Sequence, residues 1–413
     1  MLQIDQQRLL KNLNRLSHIG ADPAGGVTRL AYTPADLIAR RWFIEQVQAE
    51  GLVVESDPIG NILAVEPGEE PPVLAGSHMD TVRRGGSFDG TLGVLAALEA
   101  VQTVRRHSRP PTRRRLGVLM LAAEESTRFG SACLGSRAIV GDLPADSLST
   151  LTDAGGISLG KALQEAGLRP DQFVQTRRAP GWFHEFVELH IDQADDLEQS
   201  GHPLGIVTAI AAPTRLWVTI SGEQAHSGAA LMTDRRDALT GAAEAVLAVE
   251  REARAAAQQE IVGTVGVLRV HPGSMNTVPG QVELGVDIRG ISRPAIEAVV
   301  HRVTESIQEL CRRRHLTTDM KLVSTAEPVQ IAQDRQRTLQ QACETVGANV
   351  RPIVSRAAHD AMYLARHGPI NMLFIRNQGK ISHNPAEYAC DKDVGLGTAA
   401  LAAYLAQATD SSP

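Results

Sequence analysis

His78 and Asp80 stand two residues apart in the stretch VLAGSHMDTVRRGGSFDGTLGVL, and Asp89 follows nine residues after Asp80. Imidazoles and carboxylates are donors that suit a borderline divalent metal such as zinc. The same residue types recur at the pair Glu124-Glu125, at His190 and at His383. Taken singly, each has a plain structural reading. Asp80 and Asp89 could cap turns, the glutamates could form a solvated strand end, and a histidine after a strand is often packed or exposed. Their shared placement argues for chemistry, because each lies at or after the end of an apolar run of strand length. In open α/β sheets, sites form at the carboxyl ends of strands.

The donor count fits two metals. One would take His78 and His190, the other Glu125 and His383. Asp89 is the natural bridge, since a carboxylate has two oxygens and an imidazole one lone pair. Glu124 then stays unligated. It is placed to act as a general base that holds the attacking water and returns the proton to a leaving nitrogen. Asp80 suits an outer role, accepting the other ring N–H of His78.

Positioning these residues requires an α/β scaffold. Strands are expected over Leu52–Glu55, Asn61–Val65, the run ending at His78, Leu116–Ala123, Phe186–Ile191 and Ile370–Ile375. A helix from Thr91 to about Arg106 lies between two of them, followed by the loop RHSRPPTRRR, so the unit reads as parallel βαβ. Residues 144–184 hold two expected helices, near Ser158–Ala166 and Pro170–Val174. From Pro213 the texture changes. The order over Thr214–Ser324 reads strand, helix, strand, strand, helix, strand, the split ferredoxin-like unit. The sequence therefore predicts a catalytic α/β domain with a mixed, largely parallel sheet at 1–211 and 326–413. It is interrupted by an inserted α+β domain at 212–325.

The chain has 413 residues, a formal net charge of −6 and 43% hydrophobic content. That balance argues against nucleic-acid or anionic-membrane partners. The basic clusters Arg113–Arg115 and Arg312–Arg314 read as solvated loop or helix ends. No apolar run is long enough to span a bilayer, and the polar N-terminus lacks a secretory core. The four cysteines, Cys133, Cys311, Cys343 and Cys390, are widely spaced with no CxxC pair, so a reduced cytoplasmic protein is expected.

The motifs GSHMDTVRRGGSFDGTLGV, EESTRFG, ELHIDQ, AHSG with RRDA, NTVPG with DIR, AAHDA and SHNPAE run through nearly the whole chain. In that order they resemble the hydantoinase/carbamoylase family of dinuclear-metal amidohydrolases, related to aminoacylases and carboxypeptidase G. The family includes N-carbamoyl-L-amino acid hydrolases, allantoate amidohydrolases and β-ureidopropionases. The resemblance implies metal ligands at His78, Asp89, Glu125, His190 and His383, with Asp89 bridging and Glu124 as catalytic base. It implies two divalent ions per subunit, zinc or manganese, with cobalt or nickel also suited to the ligands. It further implies a homodimer whose inserted domain dimerises and closes over the site, with His226 supplied to the partner's site to stabilise an oxyanion. Gln193, Asn276 and Arg289 would bind substrate, Arg289 holding a carboxylate with two prongs. His359 would lie near the pocket. For the inserted-domain residues, plainer roles stand beside these. His226 and Asn276 could be turn formers, and Arg289 could pair with Asp287 or Asp234.

Some loops depart from the family pattern. HIDQAD replaces HIEQGP, EESTRF replaces EEGSRF, SGAALM replaces AGTTPM, and RAAHDA replaces GAGHDA. None removes an expected ligand or base. The expected reaction is hydrolysis of an N-carbamoyl-L-amino acid to amino acid, carbon dioxide and ammonia. Allantoate or ureidoglycolate hydrolysis is the alternative, and N-acyl-amino-acid hydrolysis a third.

Overall fold

The structure, a computed structural model, describes residues 2–107 and 114–410. Arg113 and most of the expected 106–115 loop lie outside the described residues. The chain divides into two compact units. The first comprises Met1–Thr208, Ile331–Ser355 and His359–Pro413, and the second Ala209–Gln330 with Arg356–Ala358. The short piece 356–358 thus clusters with the second unit, whereas the sequence places it in the catalytic domain.

The first unit is built on one mixed sheet. Its strands are β1 (Val53–Ser56), β2 (Ile62–Val65), β3 (Val73–His78), β4 (Leu116–Leu121), β5 (Glu185–Ile191), β6 (Leu204–Ile210), β7 (Val350–Ser355) and β8 (Ile370–Ile375). The order is β1-β2-β4-β3-β5-β8-β6, with β7 also on β6 and a ninth strand, Val329–Gln330, pairing with Ala209 and Ile210. The pairs β4–β3, β3–β5 and β5–β8 are parallel, and the flanking pairs β1–β2, β2–β4 and β8–β6 antiparallel. Every residue of the four central parallel strands is buried. This is why these strands read as unbroken apolar runs rather than as alternating ones.

Alternate sheet residues, Val73, Ala75, Val118, Met120, Val187 and Leu189 among them, form one core with the helices Thr91–His107 and Asp391–Asp410. The parallel strands share one carboxyl edge. His78 pairs in register with Leu121, and His190 with Phe374. Three strands of this sheet are not among those expected from the sequence: β6, β7 and Val329–Gln330. The helix expected near Pro170–Val174 is a 3₁₀ helix over Pro170–Thr176.

The second unit contains a four-stranded antiparallel sheet in the order Thr317–Thr325, Ala212–Ser221, Gln281–Gly290, Val262–His271. Leu216, Val218, Ile220, Val282, Leu284, Val286 and Ile288 form a core with the helices Ala238–Ala255 and Arg293–Arg313. Strict alternation of buried and half-buried residues along Ala212–Ser221 fits a sheet covered on one face. Among the described residues, no helix is long and apolar enough to cross a membrane.

Candidate metal centre

The site forms at the carboxyl edge of β3, β4, β5 and β8. β3 delivers His78 as its last residue, and the Thr91–His107 helix starts two residues after Asp89. Beyond β4 the chain turns through Ala123, at a φ of 52°, into Glu124 and Glu125. β5 carries His190, and the loop after β8 carries His383, also left-handed at a φ of 56°. Gly90 is required by space. A Cβ there would lie 2.4 Å from His78 Nε2.

Asp89 faces all three histidines. Its Oδ1 lies 3.4 Å from His78 Nε2 and 3.3 Å from His190 Nε2. Its Oδ2 lies 3.6 Å from His383 Nε2, which is itself 3.3 Å from Glu125 Oε1. Two donor groups result, His78–Asp89–His190 and Asp89–Glu125–His383, with the donor atoms within each group no more than 4.8 Å apart. Asp89 belongs to both. Convergence of three imidazoles and two carboxylates at this spacing fits a pair of divalent cations with one bridging carboxylate.

The outer nitrogens of the buried histidines are fixed by backbone. His78 Nδ1 donates to the Asp80 carbonyl at 3.0 Å, and His190 Nδ1 to the Ile191 carbonyl at 3.0 Å. Both rings therefore turn Nε2 inward. Here the structure corrects the expected partner atom. The Asp80 carboxylate lies 3.8 Å from His78 Nδ1. It accepts instead from Glu124 N–H (3.2 Å) and Glu125 N–H (3.1 Å). Those consecutive donors face one carboxylate, which fixes the turn that presents both glutamates.

Glu124 is buried, with Oε2 3.7 Å from His78 Nε2 and Oε1 accepting from Cys133 Sγ at 3.3 Å. Burial pushes its pKa well above the usual range. His78 opposes that shift, and Glu125 and Asp360 reinforce it. Burial alone would also push Asp89 up, but His190 and His78 outweigh it and hold Asp89 well below the usual range. His359 is buried edge-on against His190, with ring centroids 4.7 Å apart, and Nε2 meets Ser355 Oγ at 2.9 Å. Burial, with His190 nearby, holds its pKa well below 6.5, so it is neutral. Gln193 Nε2 donates to Asp89 Oδ2 at 2.8 Å, while its buried Oε1 has no hydrogen-bond partner among the described residues.

The remaining expected residues lie in the second unit. His226 and Thr277 pair across a short two-stranded bridge, which brings Asn276 beside His226. His226 is exposed, and its Nδ1 accepts from Gly228 N–H at 3.1 Å. The neutral ring therefore carries its proton on Nε2. Arg289 donates to Asp287 through Nε (2.8 Å) and Nη2 (3.2 Å), and Arg215 Nε donates to the same carboxylate at 2.8 Å. Both arginines line a groove of about 520 Å³ on the open sheet face with Trp217 and Val262. Two guanidiniums against one carboxylate leave that groove one positive charge in excess.

Several supporting residues were not anticipated. Arg29, 1% exposed, donates to the carbonyls of Met79 (2.7 Å), Leu16 (2.8 Å) and Ile19 (2.9 Å) and to Thr91 Oγ1 (2.8 Å). It thereby ties the His78 and Asp89 segments to the first helix. Glu188 is buried, accepting from Ser77 Oγ and Ala361 N–H. Glu387 is buried against Asp89. The altered loop after His190 also has a defined role. Asp192 accepts from Ala194 N–H and from Leu197 N–H at the start of the short helix Asp196–Ser200, and Asp195 pairs with Lys380.

The chain matches peptidase family M20/M25/M40 over residues 74–407. It is 37% identical over 401 residues to an N-carbamoyl-L-amino acid amidohydrolase of Geobacillus stearothermophilus, covering 96% of this chain and 97% of the relative. It is 34% identical over 415 residues to a ureidoglycolate hydrolase of Arabidopsis thaliana, covering 98% and 87%. Among solved structures, an amidase of the hydantoinase/carbamoylase family from Burkholderia multivorans superposes with a TM-score of 0.88 at 31% identity, covering 99% of each chain. The geometry and these likenesses together assign the chain to peptidase family M20/M25/M40, as a hydrolase of its hydantoinase/carbamoylase amidases.

Proposed function

We propose that the protein is a two-metal amidohydrolase that cleaves the carbamoyl group of an N-carbamoyl-L-amino acid. The observation that carries the reading is the pair of donor groups sharing Asp89, with Glu124 beside them and outside both. His78, Asp89 and His190 would hold one divalent ion, and Asp89, Glu125 and His383 the other. When bound, such ions supply a Lewis acid for the carbonyl oxygen and lower the pKa of water.

The chain's own groups do the rest. Glu124 takes the proton of the attacking water and passes it to the leaving nitrogen, and its raised pKa suits both halves of that exchange. The Nε2–H of His226 is a donor suited to a developing oxyanion, with Asn276 alongside. Exposed Leu231 and Met232 near His226, and Met275 next to Asn276, support burial of this region against a second copy. The reading therefore includes a homodimer that supplies His226 to the partner's site, with the second unit as dimerisation and lid domain. Arg289, in a groove with excess positive charge, is the carboxylate anchor. Gln193 Oε1 is an acceptor available to the substrate's ureido N–H. Four free cysteines support a reduced, cytoplasmic setting.

The 34% identity to a ureidoglycolate hydrolase favours a second reading, hydrolysis of a ureido acid of that kind. Ammonia release separates the two. The panel holds N-carbamoyl-L-amino acids, their D forms, allantoate, ureidoglycolate and N-acetyl amino acids. Release from the L-carbamoyl compounds is expected. Release from allantoate or ureidoglycolate alone would replace the first reading with the second.

A further inference from the structure

The segment from Asn377 to Tyr388 leaves the end of β8 and returns on itself. Asn377 Oδ1 accepts from Tyr388 N–H at 3.2 Å, and Gln378 pairs with Tyr388. Within this loop sits His383, whose side chain is 48% exposed. A half-exposed histidine on a loop has little packing to set its distance from Asp89, yet a metal site tolerates only small errors in ligand spacing.

Glu387 supplies the missing constraint. It lies four residues after His383 on the same loop, and its own N–H donates to the Asn384 carbonyl at 3.0 Å. Its Oε1 accepts from both Phe88 N–H and Asp89 N–H, each at 3.0 Å. Two consecutive backbone donors on one oxygen orient the peptide between them, and so the direction in which the Asp89 side chain leaves the backbone. Ser382 Oγ closes the circuit, 3.1 Å from Asp89 Oδ2 and 3.5 Å from Glu387 Oε2. Phe88 and Tyr388 add an edge-to-face ring contact at 6.1 Å. The contact also explains Gly86, where a Cβ would lie 2.0 Å from Glu387 Oε1.

From this geometry we propose that Glu387 is a positioning residue for the metal centre: it clamps the loop bearing His383 to the backbone of Asp89. It sets the span between Asp89 and His383 without touching metal or substrate. The proposal rests on the two-metal reading. The effect is uneven, because Asp89 serves both groups, but only His383 rides on the clamped loop, while His78 and His190 stand on the strands β3 and β5. Loss of the clamp therefore falls mainly on the position that includes His383.

The test is titration of metal-free full-length protein with Co²⁺, followed by calorimetry and by visible absorption, which reports coordination geometry. Wild type is expected to bind two ions. Glu387→Ala should weaken one of them by about 10–100-fold and leave the other within about threefold. Glu387→Gln keeps an oxygen that accepts both N–H groups, and should restore both affinities and the spectrum. If the alanine variant does not fold, Glu387→Asp, which keeps the charge but falls a methylene short, should show the same one-sided loss. Two unchanged sites in Glu387→Ala or Glu387→Asp would overturn the proposal, as would equal weakening of both sites that Gln does not rescue. Wild type binding fewer than two ions would instead overturn the two-metal reading, and the proposal with it.

Discussion

His383 Nε2 lies 3.3 Å from Glu125 Oε1, and in the metal-free protein this hydrogen bond sets the charge of the imidazole. The bond, aided by the charges of Glu125 and Asp89 and opposed by burial, raises the His383 pKa from 6.5 to about 9. A metal binds only the neutral ring. Below about pH 9, metal uptake at this position must therefore expel a proton. Apparent affinity should rise with pH through that window and level off above it. The sign for stability of the metal-free protein is the reverse. The His383–Glu125 contribution is complete below pH 6.5 and is lost as pH rises through about 9. Calorimetric metal titration at pH 7.5 in two buffers of different ionisation heat measures the proton count. A count of zero would show that His383 is already neutral.

Asp89 is shared between the donor groups, so its loss cannot be confined to one. Asp89→Ala should reduce bound metal from about two ions per chain to fewer than about one, whereas His383→Ala should retain about one. Elemental analysis after dialysis decides this. Equal metal contents in the two variants would remove Asp89 from the bridging role.

Glu124 lies outside both groups, and its replacement should separate binding from turnover. Glu124→Gln should keep its metal and lose about 10²–10⁴-fold in kcat, the usual range for a general base. Metal content and steady-state rate on the same sample are the measurements. A kcat within threefold of wild type would take the proton transfer away from Glu124.

Arg289 is already paired with Asp287, so its replacement has two competing outcomes. If it anchors the substrate carboxylate, Arg289→Ala should raise KM by about 10-fold or more, with metal content unchanged. If it only balances Asp287, thermal stability should fall while KM stays put. Arg289→Lys sharpens the comparison, because a lysine keeps the charge and loses the fork.

Much of the site was legible because metal donors placed after strands leave a mark in the order of residues. His78, Glu124-Glu125, His190 and His383 each follow or end an apolar run, and the parallel sheet brings those ends to one edge. What escaped is what depends on backbone. The sequence points to the Asp80 side chain for a contact that its carbonyl makes, because sequence shows side chains and hides the turn. Glu387 works on N–H groups about 300 positions earlier in the chain, at 88 and 89, which no spacing rule connects. Arg29 stands in an ordinary loop, and only the fold shows its guanidinium buried among carbonyls. In the fold, β6 ends immediately before the strand Ala212–Ser221 begins, so its apolar run had no boundary of its own. Pro352 hid β7, since proline demotes a strand unless it pairs at an edge, and β7 pairs only with β6.

The contrast in exposure between His383, at 48%, and the two buried histidines, at 1%, bears on exchange kinetics. An ion held by Asp89, Glu125 and His383 would border solvent and should exchange readily with a chelator in the buffer. One held by His78 and His190 must wait for the surrounding structure to open. Two such ions would therefore exchange at different rates, the outer one faster.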